Sequence, residues 1–154
     1  MTIGAAFTLA GAGLAMFAGI GSAKGVGMAC EAGTGVLTED PSKFGKLLVL
    51  EPLPGTQGLY GFIVAFLIMI QSGVMNGGLG TISTETGLQY LAASVAIGIV
   101  GLFSAIAQGR AAVASIAMIA KKPGEFGKGL VSTTLVEIYA LLSFLISLLC
   151  VINI

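Results

Sequence analysis

Glu137 offers the most chemistry, because it stands inside an apolar run, Leu130–Val151, nine residues past Lys128. At 1.5 Å per helical residue it lies about 13.5 Å from that lysine, near the midplane of a bilayer. An ionised carboxylate there costs about 3 kcal/mol unless paired, and such residues mark ion or substrate pathways. The plainer reading is a protonated or hydrogen-bonded structural glutamate. No basic residue is plainly available at that depth. Lys24 is the nearest by aligning the chain with itself, and its long stem can snorkel toward the cytoplasm instead. The same depth collects oxygens. Pro52 and Pro54 open the second apolar stretch and free carbonyls one turn back, Gly55 adds flexibility, and Thr56 and Gln57 follow. Gln108 is a further amide inside the third stretch. Singly, each polar group reads as hydrogen-bonding glue between helices. Together they form a hard, oxygen-only set with one negative charge, which suits a small monovalent cation. A bare proton carrier needs only the glutamate.

Spanning elements must hold these groups. The 154-residue chain is 56% hydrophobic and 9% charged, with 24 glycines, no Trp and no His. A soluble domain carries roughly a quarter charged residues, so a water-soluble enzyme is excluded. With no His and two Cys, a zinc site, haem or iron–sulfur cluster is not expected. Hydropathy gives four spans, about Ile3–Gly35, Leu47–Val74, Leu88–Ala120 and Leu130–Val151. Each is longer than the hydrocarbon core of about 30 Å requires, so the helices are expected to project on one side. The opening Met-Thr-Ile-Gly has no basic region and no clear cleavage site follows, so a removable signal peptide is not expected. The expected class is an all-α membrane protein of two fused helical hairpins, 1–76 and 88–154, joined by an extracytoplasmic loop over 77–87.

Charge placement orients the hairpins. Seven basic residues cancel seven acidic ones, so position matters more than sum. Lys43 and Lys46 lie in the first connection, and Lys121, Lys122 and Lys128 in the third, whereas Met75–Gly87 has no Lys or Arg. The positive-inside rule then makes the Lys-bearing loops cytoplasmic and both termini extracytoplasmic, in a multi-pass protein of the cell membrane. Cys30 and Cys150 fall toward opposite faces, too far apart for a disulfide, and read as small packing residues.

The chain repeats itself. DPSKFGKLLV from Asp40 and KPGEFGKGLV from Lys122 share Pro and Phe-Gly-Lys at an offset of 82 residues, which also aligns GFIVAF from Gly61 with SFLISL from Ser143. At that offset Gly55 meets Glu137. Upstream, SAKG from Ser22 aligns with IAQG from Ile106 after a two-residue shift. Small residues form a four-residue stripe at Gly11, Ala15, Gly19, Ala23 and Gly27, widened by Gly13, Gly21 and Gly25. Ser94, Gly98, Gly101, Ala105 and Gly109 match it in the third span. Small residues permit the close backbone approach on which helix association in lipid relies. Packing within one bundle explains part of this. Two nearly all-small faces on alternate helices point further, to a ring with these helices innermost.

With these motifs in view, the chain resembles the membrane rotor subunit (proteolipid, K or c subunit) of V-type ATPases, in the bacterial sodium-pumping branch. The resemblance covers essentially the whole chain. Its markers are the fused hairpins, LPGTQGLYG from Leu53 to Gly61, AQG from Ala107 to Gly109, and LVEIYA from Leu135 to Ala140. It implies a ring of identical copies turning in the bilayer against a stator subunit, and a central-stalk subunit linking that ring to a soluble head that hydrolyses ATP. It implies Na⁺ ligands at the Leu53 carbonyl, Thr56, Gln57, Gln108 and Glu137, with Tyr60 holding the Glu137 carboxylate by a hydrogen bond. A fixed Arg of the stator would weaken each site in turn and pair with the emptied carboxylate. The subunit itself would catalyse no covalent step. Glu51 has no counterpart role, and its place beside Pro52 suggests the cytoplasmic mouth of the site.

Two other readings remain at this stage. One is the same rotor carrying H⁺, with the amides structural. The other is a small four-helix antiporter exchanging protons for organic cations. Such a pocket wants aromatic walls for cation–π contact, and this chain has no Trp and three Tyr.

Overall fold

The computed structural model describes all residues, 1–154, and is helical throughout. Four helical rods of 30 to 38 residues, Ile3–Glu39, Pro41–Gln71, Thr84–Lys121 and Pro123–Ile152, are each long and apolar enough to cross a membrane. At the Lys-bearing end all four run past the ends expected from hydropathy, while the second stops at Gln71, short of the expected Val74. Polar residues continue the same hydrogen-bond ladder, so the first connection shrinks to Asp40 and the third to Lys122. The third rod begins at Thr84, inside the expected loop, because the Ser83 hydroxyl accepts from the Thr86 N–H and caps it.

Only the third rod is a single helix, α5 (Thr84–Lys121). The first is α1 (Ile3–Ala15) and α2 (Phe17–Glu39), interrupted at Met16. The second is α3 (Phe44–Leu50) and α4 (Thr56–Gln71), and the fourth is α6 (Phe126–Thr134) and α7 (Glu137–Ile152). Gly73 and Gly77 take left-handed φ values of 71° and 84° in the loop after α4, which a side chain would disfavour.

The first rod packs along α5 in the most extensive contact of the molecule, and α5 also meets both other rods. Small residues make that approach possible. A methyl at Gly4, Gly21, Gly25 or Gly98 would overlap the backbone of Ser83, Leu102, Ala105 or Leu14 respectively. The expected stripe in the third span is buried in full, at Ser94, Gly98, Gly101, Ala105 and Gly109. In the first span the small residues divide between a covered and an open face of the single chain. Gly11, Ala15, Gly21 and Gly25 are buried, but Gly13, Ala23 and Gly27 are exposed and Gly19 is half-buried. A strict four-residue stripe drifts around a helix of 3.6 residues per turn, so it leaves the contact within two or three turns.

A correction concerns the repeat. From Phe17 onward α2 and α5 run unbroken to caps of similar dihedrals at Asp40 (φ −145°, ψ 90°) and Lys122 (φ −135°, ψ 80°). The offset of 82 therefore holds through this region, without the two-residue shift. Val26 takes the place of Gln108, and Ile106 takes the place of Lys24.

Candidate functional site

The second rod breaks where its prolines require it. Pro52 and Pro54 carry no N–H, and the chain makes one tight turn, Leu53–Gly55, before α4 starts at Thr56. The Leu53 carbonyl accepts the Thr56 hydroxyl at 3.1 Å, which points that hydroxyl into the break. The Thr56 N–H turns back to the Leu53 carbonyl, and the Ser22 hydroxyl of α2 satisfies the N–H of Gly58 at 2.8 Å. The fourth rod breaks at Leu135–Val136, at the same level of the repeat but without a proline. There the Ser104 hydroxyl of α5 donates to the Val136 carbonyl at 3.2 Å, tying the start of α7 to α5. Glu137 is the first residue of α7, immediately beyond this break.

Two apolar clusters flank this level. One includes Leu47, Leu50, Ala112 and Ile116 toward the Lys-bearing end, and the other Ala15, Val64, Ile68 and Ile97 toward the opposite end. Between them lies a polar layer. The Tyr60 hydroxyl donates to Glu137 Oε1 at 2.7 Å, and the Tyr60 ring stacks on Phe144 with centroids 5.0 Å apart. Gln57 and Gln108 are fully buried, and the Gln57 amide N–H donates to Gln108 Oε1 at 2.5 Å. The Thr56 hydroxyl lies 3.3 Å from Gln57 Oε1. The six residues singled out from the sequence thus fall into two adjacent groups across the second, third and fourth rods. No hydrogen bond links Glu137 to Thr56, Gln57 or Gln108, and Lys24 forms no ion pair with Glu137.

One buried atom lacks a partner, the Gln108 amide nitrogen. Leaving such a donor unpaired costs about 1–3 kcal/mol. Turning over both amides removes that cost. Gln108 then donates to Gln57 Oε1, Gln57 donates to the Thr56 hydroxyl, and Gln108 Oε1 becomes a free acceptor beside the layer. The donor set can thus present a carboxylate, a hydroxyl, an amide oxygen and a backbone carbonyl without orphaning an N–H.

Glu51 lies elsewhere. Its carboxylate packs against Gly33, and the Cys30 thiol, 3.9 Å away, points at Glu51 Oε2. It is hydrogen-bonded to none of the six residues. Ser22, Ser104 and Phe144 were missed by reasoning from sequence, although the two serines stand 82 residues apart and so carried a repeat signal.

Comparison with known proteins agrees with this architecture. A chain named V-type sodium ATPase subunit K from Enterococcus hirae is 51% identical over 145 residues, covering 94% of this chain and 89% of that one. A-type ATP synthase subunit K from Methanocaldococcus jannaschii is 41% identical over 94% of this chain and 61% of its own length. The family of ATP synthase C subunits matches twice, over residues 10–68 and 91–150, once for each hairpin. Two matched hairpins that pack four membrane-crossing rods around one polar layer make the chain a member of this ATP synthase C-type family.

Proposed function

We propose that this chain is the ion-carrying rotor subunit of a V-type ATPase, moving Na⁺ through a site made by Glu137, Thr56, Gln57, Gln108 and the Leu53 carbonyl. The observation that carries the reading is the Tyr60–Glu137 hydrogen bond beside a buried amide pair with one unpaired N–H. The sodium assignment is supported by the name of the Enterococcus hirae relative and by the single carboxylate among neutral oxygens. Copies of the chain stand in a ring, as in the family, and the ring turns against a stator while other subunits cleave ATP.

Each residue has a physical task. Na⁺ neutralises Glu137, so that a half-buried carboxylate at membrane depth can face lipid as the ring turns. Tyr60, fixed by its stack on Phe144, holds Oε1 in place. Gln57, Gln108 and Thr56 replace water oxygens that the ion sheds on entry. At the stator, a fixed Arg competes for the carboxylate, releases the ion and pairs with Glu137 until the next ion arrives.

Sodium and proton coupling separate cleanly. Carbodiimides modify the protonated acid, and Na⁺ competes with the proton for the same lone pairs. Sodium should therefore slow labelling of Glu137, more strongly at high pH, and potassium should protect less. Thr56→Ala with Gln57→Leu should weaken that protection while leaving the carboxylate reactive. Absence of sodium protection in the wild-type ring from about pH 6 to pH 9 hands the site to protons.

We place the Lys-bearing connections in the cytoplasm and both termini outside, because Met75–Gly87 has no basic residue. Cysteines introduced by Ser42→Cys and Ser83→Cys should react with an impermeant thiol reagent from opposite sides. Labelling of both from one side refutes this orientation.

A further inference from the structure

Lys24, Glu31 and Arg110 are among the charged residues inside the rods that have no ion-pair partner within the chain. Glu31 on α2 and Arg110 on α5 are both exposed, yet they line one groove with Met28, Ala32 and Val113. Arg110 lies only two residues from Gln108 toward the Lys-bearing end, so these charges sit close to the level of the polar layer. Charges at such a place are costly unless they meet an opposite charge.

The repeat shows where the opposite charge comes from. At the offset of 82, Met28 corresponds to Arg110 and Glu31 to Val113. The contact between the first rod and α5 is a contact between one hairpin and the next. In a ring it recurs between α5 of one copy and the first rod of the following copy. The groove of that second contact is obtained by exchanging equivalent positions. It is lined by Arg110, Val113 and Ala114 of one copy and by Met28 and Glu31 of the next. Arg110 therefore faces a Glu31 on each side, one from its own chain and one from a neighbour.

We propose that Glu31 and Arg110 form a closed belt of alternating charges around the inner face of the ring, with Arg110 of each copy pairing with Glu31 of the next. The belt supplies the counter-charge that the single chain lacks, and it ties copies together on the face away from the stator. The inference rests on the ring reading of the proposed function, and on no assignment of the transported ion.

The test uses the intact ring in membranes and in mild detergent. Glu31→Cys with Arg110→Cys, in a background carrying Cys30→Ser and Cys150→Ser, should give chain-to-chain ladders with a short bifunctional thiol reagent. Cross-links confined within single chains overturn the belt. Glu31→Gln and Arg110→Gln should each lower the temperature at which the ring dissociates, and the exchange Glu31→Arg with Arg110→Glu should restore it. Rings as heat-resistant as wild type in both single variants, or an exchange no better than the singles, overturn it as well. A wild-type chain that runs as a monomer or dimer in mild detergent sinks the ring reading itself, a separate outcome from loss of the belt alone.

Discussion

The two hairpins share one backbone plan and differ at the level of the polar layer. In the first hairpin, Val26 packs against the α4 start, its Cγ2 lying 3.5 Å from where a methyl on Gly55 would sit. In the second, the same two places hold Gln108 and Glu137, while Gln57 and Tyr60 reach in from the first hairpin. The second and fourth rods both break at this level, one at Pro52 and Pro54 and the other without a proline, where the Ser104 hydroxyl meets the Val136 carbonyl. The break is therefore a property of the repeat, and the carboxylate is a property of one half.

The comparison fails first at Glu137. Glu137→Gln keeps volume and one oxygen but removes the charge, making the second hairpin as neutral as the first. Sodium affinity should fall by roughly two orders of magnitude or more, and ion pumping by an assembled ring should fall to background. Pumping that survives in such a ring moves the essential role to another acid, with Glu51 the first to examine.

A smaller effect separates the covered face of the first rod from its open one. Gly21→Ala drives a methyl into the Leu102 carbonyl, whereas nothing within the chain lies within 4 Å of a methyl at Gly27. Gly21→Ala should cost about 1–3 kcal/mol, read as a lower yield of folded chain and a lower thermal midpoint. Gly27→Ala should leave folding of the single chain within about 0.5 kcal/mol. At the offset of 82 its counterpart is Gly109, where a methyl would lie 2.5 Å from Gly25 Cα. In a ring the following contact places α5 of a neighbouring copy against Gly27, so Gly27→Ala should instead lower the temperature at which the ring dissociates. A loss of folded chain at Gly27 as large as at Gly21 contradicts the division between the two faces. A Gly27→Ala ring as heat-resistant as wild type removes the neighbour from that face.

The smallest effect concerns the two Lys-bearing connections. Asp40 accepts from the Ser42 N–H and hydroxyl at 3.1 and 2.6 Å and pairs with Lys43 at 3.2 Å. Lys43 in turn donates to the Ala120 carbonyl of α5. The hydrogen bonds from Ser42, then that from Lys43, hold the Asp40 carboxyl below its ordinary range. Its contribution is thus complete above the usual aspartate value near 4, and is lost as pH falls through the lowered value. The third connection has Lys122 in place of Asp40 and relies on a Glu125–Lys128 pair of 2.5 Å. Amide protection over residues 40–46, taken as the exchange rate relative to the intrinsic base-catalysed rate at each pH, should be flat from pH 5 to pH 8 and fall only below about pH 4. Asp40→Asn should remove that acid transition and leave Glu125 to Lys128 unchanged. An acid transition that persists in Asp40→Asn assigns it to another carboxylate.

Four apolar spans, a repeat of Pro and Phe-Gly-Lys, and a carboxylate nine residues beyond Lys128 in the last span were enough to fix the architecture and to single out Glu137. Hydrophobic length and period are local properties, and a membrane leaves the backbone no alternative to helices at that depth. The amides, Thr56 and Tyr60 were legible as residue types and through a family resemblance, but the pairing of the two amides was not. Tyr60 meets Glu137 across 77 positions of sequence, and Gln57 meets Gln108 across 51, because α4 and α7 pack on α5 at one level. The register of α2 against α5 was ambiguous in sequence, although Ser22 and Ser104 stand 82 residues apart. A two-residue shift looked better by residue type, and only unbroken helices with matching caps restore the offset of 82. The interior face of the first rod likewise follows from packing, because many small residues are available and close approach to Leu102 and Ala105 selects Gly21 and Gly25 among them. Composition determined which contacts were possible, and tertiary packing chose between faces that the sequence left nearly equivalent.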